Sequence, residues 1–184
     1  GPVIRKCIDK LGPIANSRQI RVNASTEDFL VQCIPNQLEV LFENIISNAI
    51  TYSYDGGSVE IVSKFNRQSL SAVVTVIDHG IGIGDTELPH IFDEYFYAPR
   101  AALHNRTSSG IGLSIVRTVA ENNKLHIQVA SERDVGTAFS VLFQDVGNAS
   151  DMEKEMQKIN TGKYVAADPA EESLEHSKGG CQPA

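Results

Sequence analysis

Asp78 closes an apolar run, and three glycines, Gly80, Gly82 and Gly84, follow it within six residues. An ionised carboxylate at a strand end can accept a hydrogen bond from an exocyclic amine such as that of adenine. Gly80 and Gly82 would let backbone approach a flat ring closely, with Ile81 and Ile83 as apolar walls. The same residues also read as a glycine-rich turn capped by an aspartate. A second group is Asn44 and Asn48, four apart on a helix and therefore on one side of it, at a flank of its apolar stripe. Two carboxamides there can orient a hydrated Mg²⁺ and its phosphates, because Mg²⁺ takes few protein oxygens. They can equally be surface asparagines, although Asn is a poor helix former. A third piece, "SSGIGLSIV", opens a helix with Gly110 and Gly112, and amides at a helix start bind phosphate oxygens. A fourth, "DVGTAF", is by itself only a hairpin turn ahead of Thr137.

The elements that must hold these residues follow from apolar periodicity. Ile4, Ile8 and Leu11 indicate a helix over residues 3–17, broken or kinked at Gly12-Pro13. "QIRVNAS" and "FLVQCI" read as short strands around a turn at Thr26-Glu27-Asp28, and Pro35 suits the first turn of a helix. Leu38, Leu41, Phe42, Ile45, Ile46, Ala49 and Ile50 then mark the clearest amphipathic helix of the chain. "SVEIVSKF" and "SAVVTVID" predict an antiparallel hairpin around Asn66-Arg67-Gln68. Residues 84–109 read as a long loop with short helical pieces. "GIGLSIVRTVAENN" predicts a second amphipathic helix, and "KLHIQVAS" and "TAFSVLF" a last hairpin. This order gives a two-layer α/β sandwich, a mixed and mostly antiparallel sheet covered on one face by helices. The pattern ends after Gln144, so residues 1–145 form one domain and 146–184 a polar, disordered tail.

Composition narrows the classes. The chain has 184 residues, 41% hydrophobic, which suits one globular domain with an appendage. A formal charge of −7 argues against a general nucleic-acid surface. No run of eighteen apolar residues exists, so membrane contact by this segment is not expected. Cys7, Cys33 and Cys181 are scattered without CxxC spacing and read as free thiols of a reducing compartment. Gly1-Pro2 looks like the scar of a removed tag, as in a piece excised from a longer protein.

Together, "FENIISNAITY", "DHGIGI", "IFDEYF", "SSGIGLSIV" and "VGTAF" resemble, in order and spacing, the N box, first glycine box, F box and later glycine boxes of sensor histidine kinases. The resemblance covers roughly residues 3–143 and points to the catalytic ATP-binding domain, the Bergerat fold shared with gyrase, Hsp90 and MutL. It implies ATP and Mg²⁺ as ligands, with Asn48 as the metal-binding asparagine and Asn44 the N-box position a turn earlier. Tyr52 would flank the nucleotide and Asp78 would recognise adenine, beside Gly80, Gly82 and Ile83. Phe92 would anchor a lid over residues 84–109. Ser109, Gly110, Ile111, Gly112 and Leu113 would lie at the phosphates, and Thr137 near adenine. The glycines after Asp78 would then be there because adenine lies on that backbone.

The resemblance also implies partners, namely a dimerisation domain carrying the acceptor histidine and the receiver domain of a response regulator. It implies a cytoplasmic location, as part of a membrane-anchored sensor. None of His79, His90, His104, His126 and His176 has the acidic neighbour and following proline of an acceptor site, so this segment would be the catalytic half alone. Four positions depart from the family: Thr51 replaces a lysine, Glu94 and Tyr97 replace basic F-box residues, and Ser108 stands where a glycine is usual. Arg100, His104 or Arg106 can supply the missing cations, or these are simply solvated loop charges. The family's hydrolytic ATPases, and the anti-sigma kinases, have glutamate where Asn44 stands, and Asn cannot take a proton from water. Glu43 is adjacent but about 100° around the helix. Phosphotransfer is therefore preferred over hydrolysis, with a degenerate nucleotide-sensing module as the alternative.

Overall fold

Leu38, Leu41, Phe42, Ile45, Ile46, Ala49 and Ile50 are all buried along one side of α2 (Gln37–Tyr52), as their spacing requires. The computed structural model describes residues 1–34, 36–98, 100–101 and 110–148. Two further helices lie with α2: α1 (Pro2–Ser17), buried through Ile4, Cys7, Leu11 and Ala15, and α3 (Gly112–Asn122), buried through Val116, Val119 and Ala120. Their apolar sides meet a five-stranded sheet formed by β1 (Arg21–Ser25), β3 (Ser58–Asn66), β4 (Ser71–Asp78), β6 (Gly136–Phe143) and β5 (His126–Glu132), in that spatial order. β1 pairs parallel with β3 and every other pairing is antiparallel, so the sheet is mixed as expected. A separate two-stranded ribbon joins β2 (Phe29–Leu30) to β7 (Gly147–Asn148). Phe29 bridges the ribbon to the main core, its ring 5.4 Å from that of Phe143.

Two local expectations are corrected. α1 runs unbroken through Gly12-Pro13, because its buried side needs only Leu11 and Ala15 on either flank of the proline. The two early strands do not pair with each other; β1 finds β3 and β2 shrinks to two residues that find β7. Just past Gln144, Val146 is buried and β7 follows. Pro35 lies outside the described residues.

Gly80 and Gly82 are each crowded by the protein's own backbone, which by itself requires glycine at both positions. A β-carbon at Gly80 would overlap the carbonyl oxygen of Tyr52, because Gly80 forms a bridge with Ser53 at the end of α2. Gly82 has φ +62°, and a β-carbon there would overlap the carbonyl oxygen of Glu132. Gly82→Ala should therefore lose about 3 kcal/mol of stability, from left-handed strain plus displaced backbone. Denaturant unfolding checks this, and a loss below about 1 kcal/mol would mean that the turn simply yields.

Candidate functional site

Strand alternation puts Asp78 in line with core residues. In β4 every second residue from Ala72 is buried, so Ala72, Val74, Val76 and Asp78 all face the helix layer. In β6 the same alternation turns Thr137, Phe139, Val141 and Phe143 inward. Asp78 and Thr137 are cross-strand partners at the end of this inner face. There, instead of more helix, lies a cavity of about 460 Å³, lined by Asp78, Thr137 and Phe139 from the sheet, and by Asn44, Asn48 and Tyr52 from α2.

Asp78 is 5% exposed. Its carboxylate accepts the backbone N–H of Gly80 at 3.0 Å and a second from Thr137. Burial pushes its pKa up from 3.8 to about 6; the two hydrogen bonds and nearby His79 oppose the rise without cancelling it. A buried carboxylate satisfied on one side by backbone donors and open to a cavity on the other is a hydrogen-bond acceptor waiting for a donor.

The wall beside it is stitched at both ends. Ile81 N–H donates to Tyr52 O at 3.1 Å, and Asp134 N–H to Ile81 O at 3.0 Å. Ile83 N–H donates to Ser131 Oγ at 2.8 Å, and Ser131 Oγ lies 2.8 Å from Thr137 Oγ1. The α2 end of this wall is itself clamped. The Arg18 guanidinium donates to the carbonyls of Ile50, Thr51 and Ser53 at 2.7, 2.6 and 2.9 Å. These are the orphan carbonyls of a helix C-terminus, and no basic residue of α2 serves them.

The asparagines come together with the start of α3. Asn44 and Asn48 both line the cavity, as do Gly110, Gly112 and Leu113. A β-carbon at Gly112 would stand 2.9 Å from Asn44 Oδ1 and 4.0 Å from Asn48 Oδ1, so both carboxamide oxygens converge on the helix start. Asn44 is oriented by its own amide, which donates to Val40 O at 2.8 Å. Among the described residues no side chain caps α3, and Ile111 occupies the cap position, so its first amides can receive an anion. Glu43 points elsewhere, to Lys10 of α1 at 2.7 Å.

Gly82, Ile83 and Tyr52 line the cavity; Gly80 and Ile111 do not. Phe92 does not line it but packs against the core, while Ile91 and Phe96 do line it. Arg100 reaches the cavity rim, yet its guanidinium is paired with Asp134 at 2.6 and 3.2 Å. Arg100, and then the Tyr54 hydroxyl, hold the Asp134 carboxyl below its usual range. Arg106 and Ser109, like His104 and Ser108, lie outside the described residues. Glu87 and Tyr97 also line the cavity and were not foreseen as lining residues. Glu87 accepts Gly84 N–H at 2.9 Å and sits 3.5 Å from Arg133. The sequence carried no signal for it, since an acidic residue in a loop is ordinarily solvated.

An open mixed sheet with helices on one face, and a cavity between them carrying a buried aspartate and an uncapped helix start, is the architecture of a Bergerat-type ATP-binding domain. The chain belongs to the family of histidine kinase-, DNA gyrase B- and HSP90-like ATPases, whose model matches residues 33–147. Among similar proteins is the signal transduction histidine-protein kinase ArlS of Staphylococcus aureus, 28% identical over 141 residues. That match covers 76% of this chain and 31% of ArlS, so the chain spans about a third of that relative's length. Among solved structures, the mycobacterial sensor histidine kinase MprB superposes with a TM-score of 0.66 at 22% identity, covering 78% of this chain and 92% of that one. The catalytic domain of histidine kinase ThkA gives 0.66 at 18% identity, covering 78% and 91%. Full-length ShkA in complex with AMPPNP gives 0.64 at 18% identity, covering 80% and 30%. Among the described residues no helix is long and apolar enough to cross a membrane.

Proposed function

We propose that the cavity binds ATP with Mg²⁺ and serves transfer of the terminal phosphoryl group to a histidine on a separate dimerisation domain, for relay to a response regulator's receiver domain. One observation carries this reading above the others: the buried Asp78 carboxylate and the uncapped start of α3 line one cavity. Asp78 would accept the exocyclic amine of adenine, with Gly82, Ile83, Tyr52 and Thr137 around the base. Gly110, Gly112 and Leu113 would receive the phosphates at the helix start. Asn44 and Asn48 would hold Mg²⁺, which would supply neutralisation of phosphate charge; among the described residues no cluster of His, Cys, Asp or Glu competes for that role. The AMPPNP bound to full-length ShkA, a protein of the same fold, supports the choice of nucleotide.

Hydrolysis is disfavoured by two contacts. Glu43 is committed to Lys10, and Glu87 is held by the Gly84 amide with Arg133 close by, so neither is a free base for water. Binding of an ATP analogue with and without Mg²⁺, followed by labelled ATP with and without a helical acceptor hairpin added in trans, tests the reading. Binding with Mg²⁺, and acid-labile phosphate on the hairpin alone, is the expected result. A chain that binds the analogue but never transfers would be the degenerate sensor instead, and one that does not bind would overturn the reading altogether.

A pH signature follows from Asp78. Its pKa in the folded chain, about 6, lies above the ordinary 3.8, so the ionised form burdens the fold above about pH 6 and that burden is relieved as pH falls toward 4. Recognition of adenine needs the ionised form. Lowering the pH from 7 to 5 should therefore weaken adenosine binding, by about tenfold per unit below pH 6, while Asp78's own contribution to stability improves. Adenosine is the probe because it has no phosphate to titrate. A flat affinity across that range would remove Asp78 from the recognition of the base.

A further inference from the structure

Among the described residues, the Tyr97 hydroxyl is the buried side-chain polar atom that finds no hydrogen-bond partner. Such groups are rare in folded proteins and call for a reason. Tyr97 lines the cavity described above. Its ring lies against the turn that opens α3, since a β-carbon at Gly110 would come within 2.7 Å of Tyr97 Cε2. Two residues earlier, Tyr95 N–H donates to Gly110 O at 3.1 Å, which fastens this part of the loop to the same turn. The phenol is therefore held beside the helix start whose own amides are uncapped.

We propose that the Tyr97 hydroxyl donates a hydrogen bond to the phosphate chain of the bound nucleotide, as an uncharged donor beside the helix start. The inference rests on the nucleotide reading of the cavity and adds a residue to it. Arg100, the nearest candidate cation on the described part of the loop, is already engaged by Asp134 and does not fill this role. A neutral phenol also differs from a cation in how salt acts on it: its hydrogen bond is directional and short-ranged, whereas a surface cation's attraction is screened.

The test compares the parent chain with Tyr97→Phe for binding of ATP and adenosine, at low and high salt, together with thermal unfolding. Expected are an approximately tenfold or greater loss of ATP affinity, unchanged adenosine affinity, and a loss that persists at high salt. The variant should also melt no lower than the parent, because it removes a hydroxyl without a protein partner. Equal affinity for ATP, equal loss for ATP and adenosine, or a clear drop in melting temperature would each overturn the assignment, the last by revealing a protein partner. A parent chain that binds no ATP would overturn the nucleotide reading itself. The parent's affinity thus separates that failure from an error confined to Tyr97.

Discussion

Asp78→Asn should abolish adenine-nucleotide binding and leave the fold intact. The carboxylate already accepts two backbone N–H groups, from Gly80 and Thr137, and offers its remaining lone pairs to the cavity. An asparagine of the same size has one acceptor and one donor end. If its oxygen meets the backbone amides, its NH₂ faces the amine of adenine; if it is turned over, its NH₂ faces the backbone amides. Either orientation leaves donor against donor. The lost charge-assisted bond and the stranded donor together come to about 3 kcal/mol or more, a hundredfold or more in affinity. The fold should not suffer, because burial already disfavours the charge at this position. Calorimetric titration and thermal unfolding near pH 8 separate the two effects. Parent-like ATP affinity in the variant would show that adenine lies elsewhere.

The second large effect is expected at Asn48. Asn48→Ala should reduce nucleotide affinity on the order of a hundredfold when Mg²⁺ is present and only slightly when it is chelated, since a metal position loses one of its few protein oxygens. Asn48 is half-buried in α2, and its Oδ1 and that of Asn44 both lie close to Gly112. Its neighbour cannot simply swing across to compensate, because the Asn44 amide is anchored on Val40 O. Equal losses with and without Mg²⁺ would reduce Asn48 to a packing residue.

What could be read from the residues depended on the range of the interaction. The α2 stripe was legible to the residue, because helical periodicity is local and all seven apolar positions are buried. The alternation that turns Asp78 inward is equally local. The parallel partner of β1 was not legible, since a register between residues 21–25 and 58–62 is fixed only by the finished sheet. The backbone that crowds Gly80 and Gly82 was not legible, since the carbonyls of Tyr52 and Glu132 are distant in sequence. Phe92 and Phe96 are indistinguishable as aromatics in a loop; both pack against the core, and only the finished packing brings Phe96 to the cavity as well. Arg100 lines the cavity, yet nothing in the order of residues announces that Asp134 holds it.

The Arg18 clamp bears on how fragments of such proteins are cut. The stretch recognisable by family begins at residue 33, yet the guanidinium that closes the end of α2 comes from residue 18. Tyr52, whose carbonyl carries Ile81 and with it one side of the cavity, lies within that clamped turn. α1, buried against the other helices through Ile4, Cys7, Leu11 and Ala15, is the scaffold that delivers Arg18. A fragment trimmed to the recognisable boundary would keep every residue assigned to the nucleotide and still lose the brace behind them. Choosing expression limits by motif alone would thus yield a protein whose weak binding reflects the scissors rather than the site.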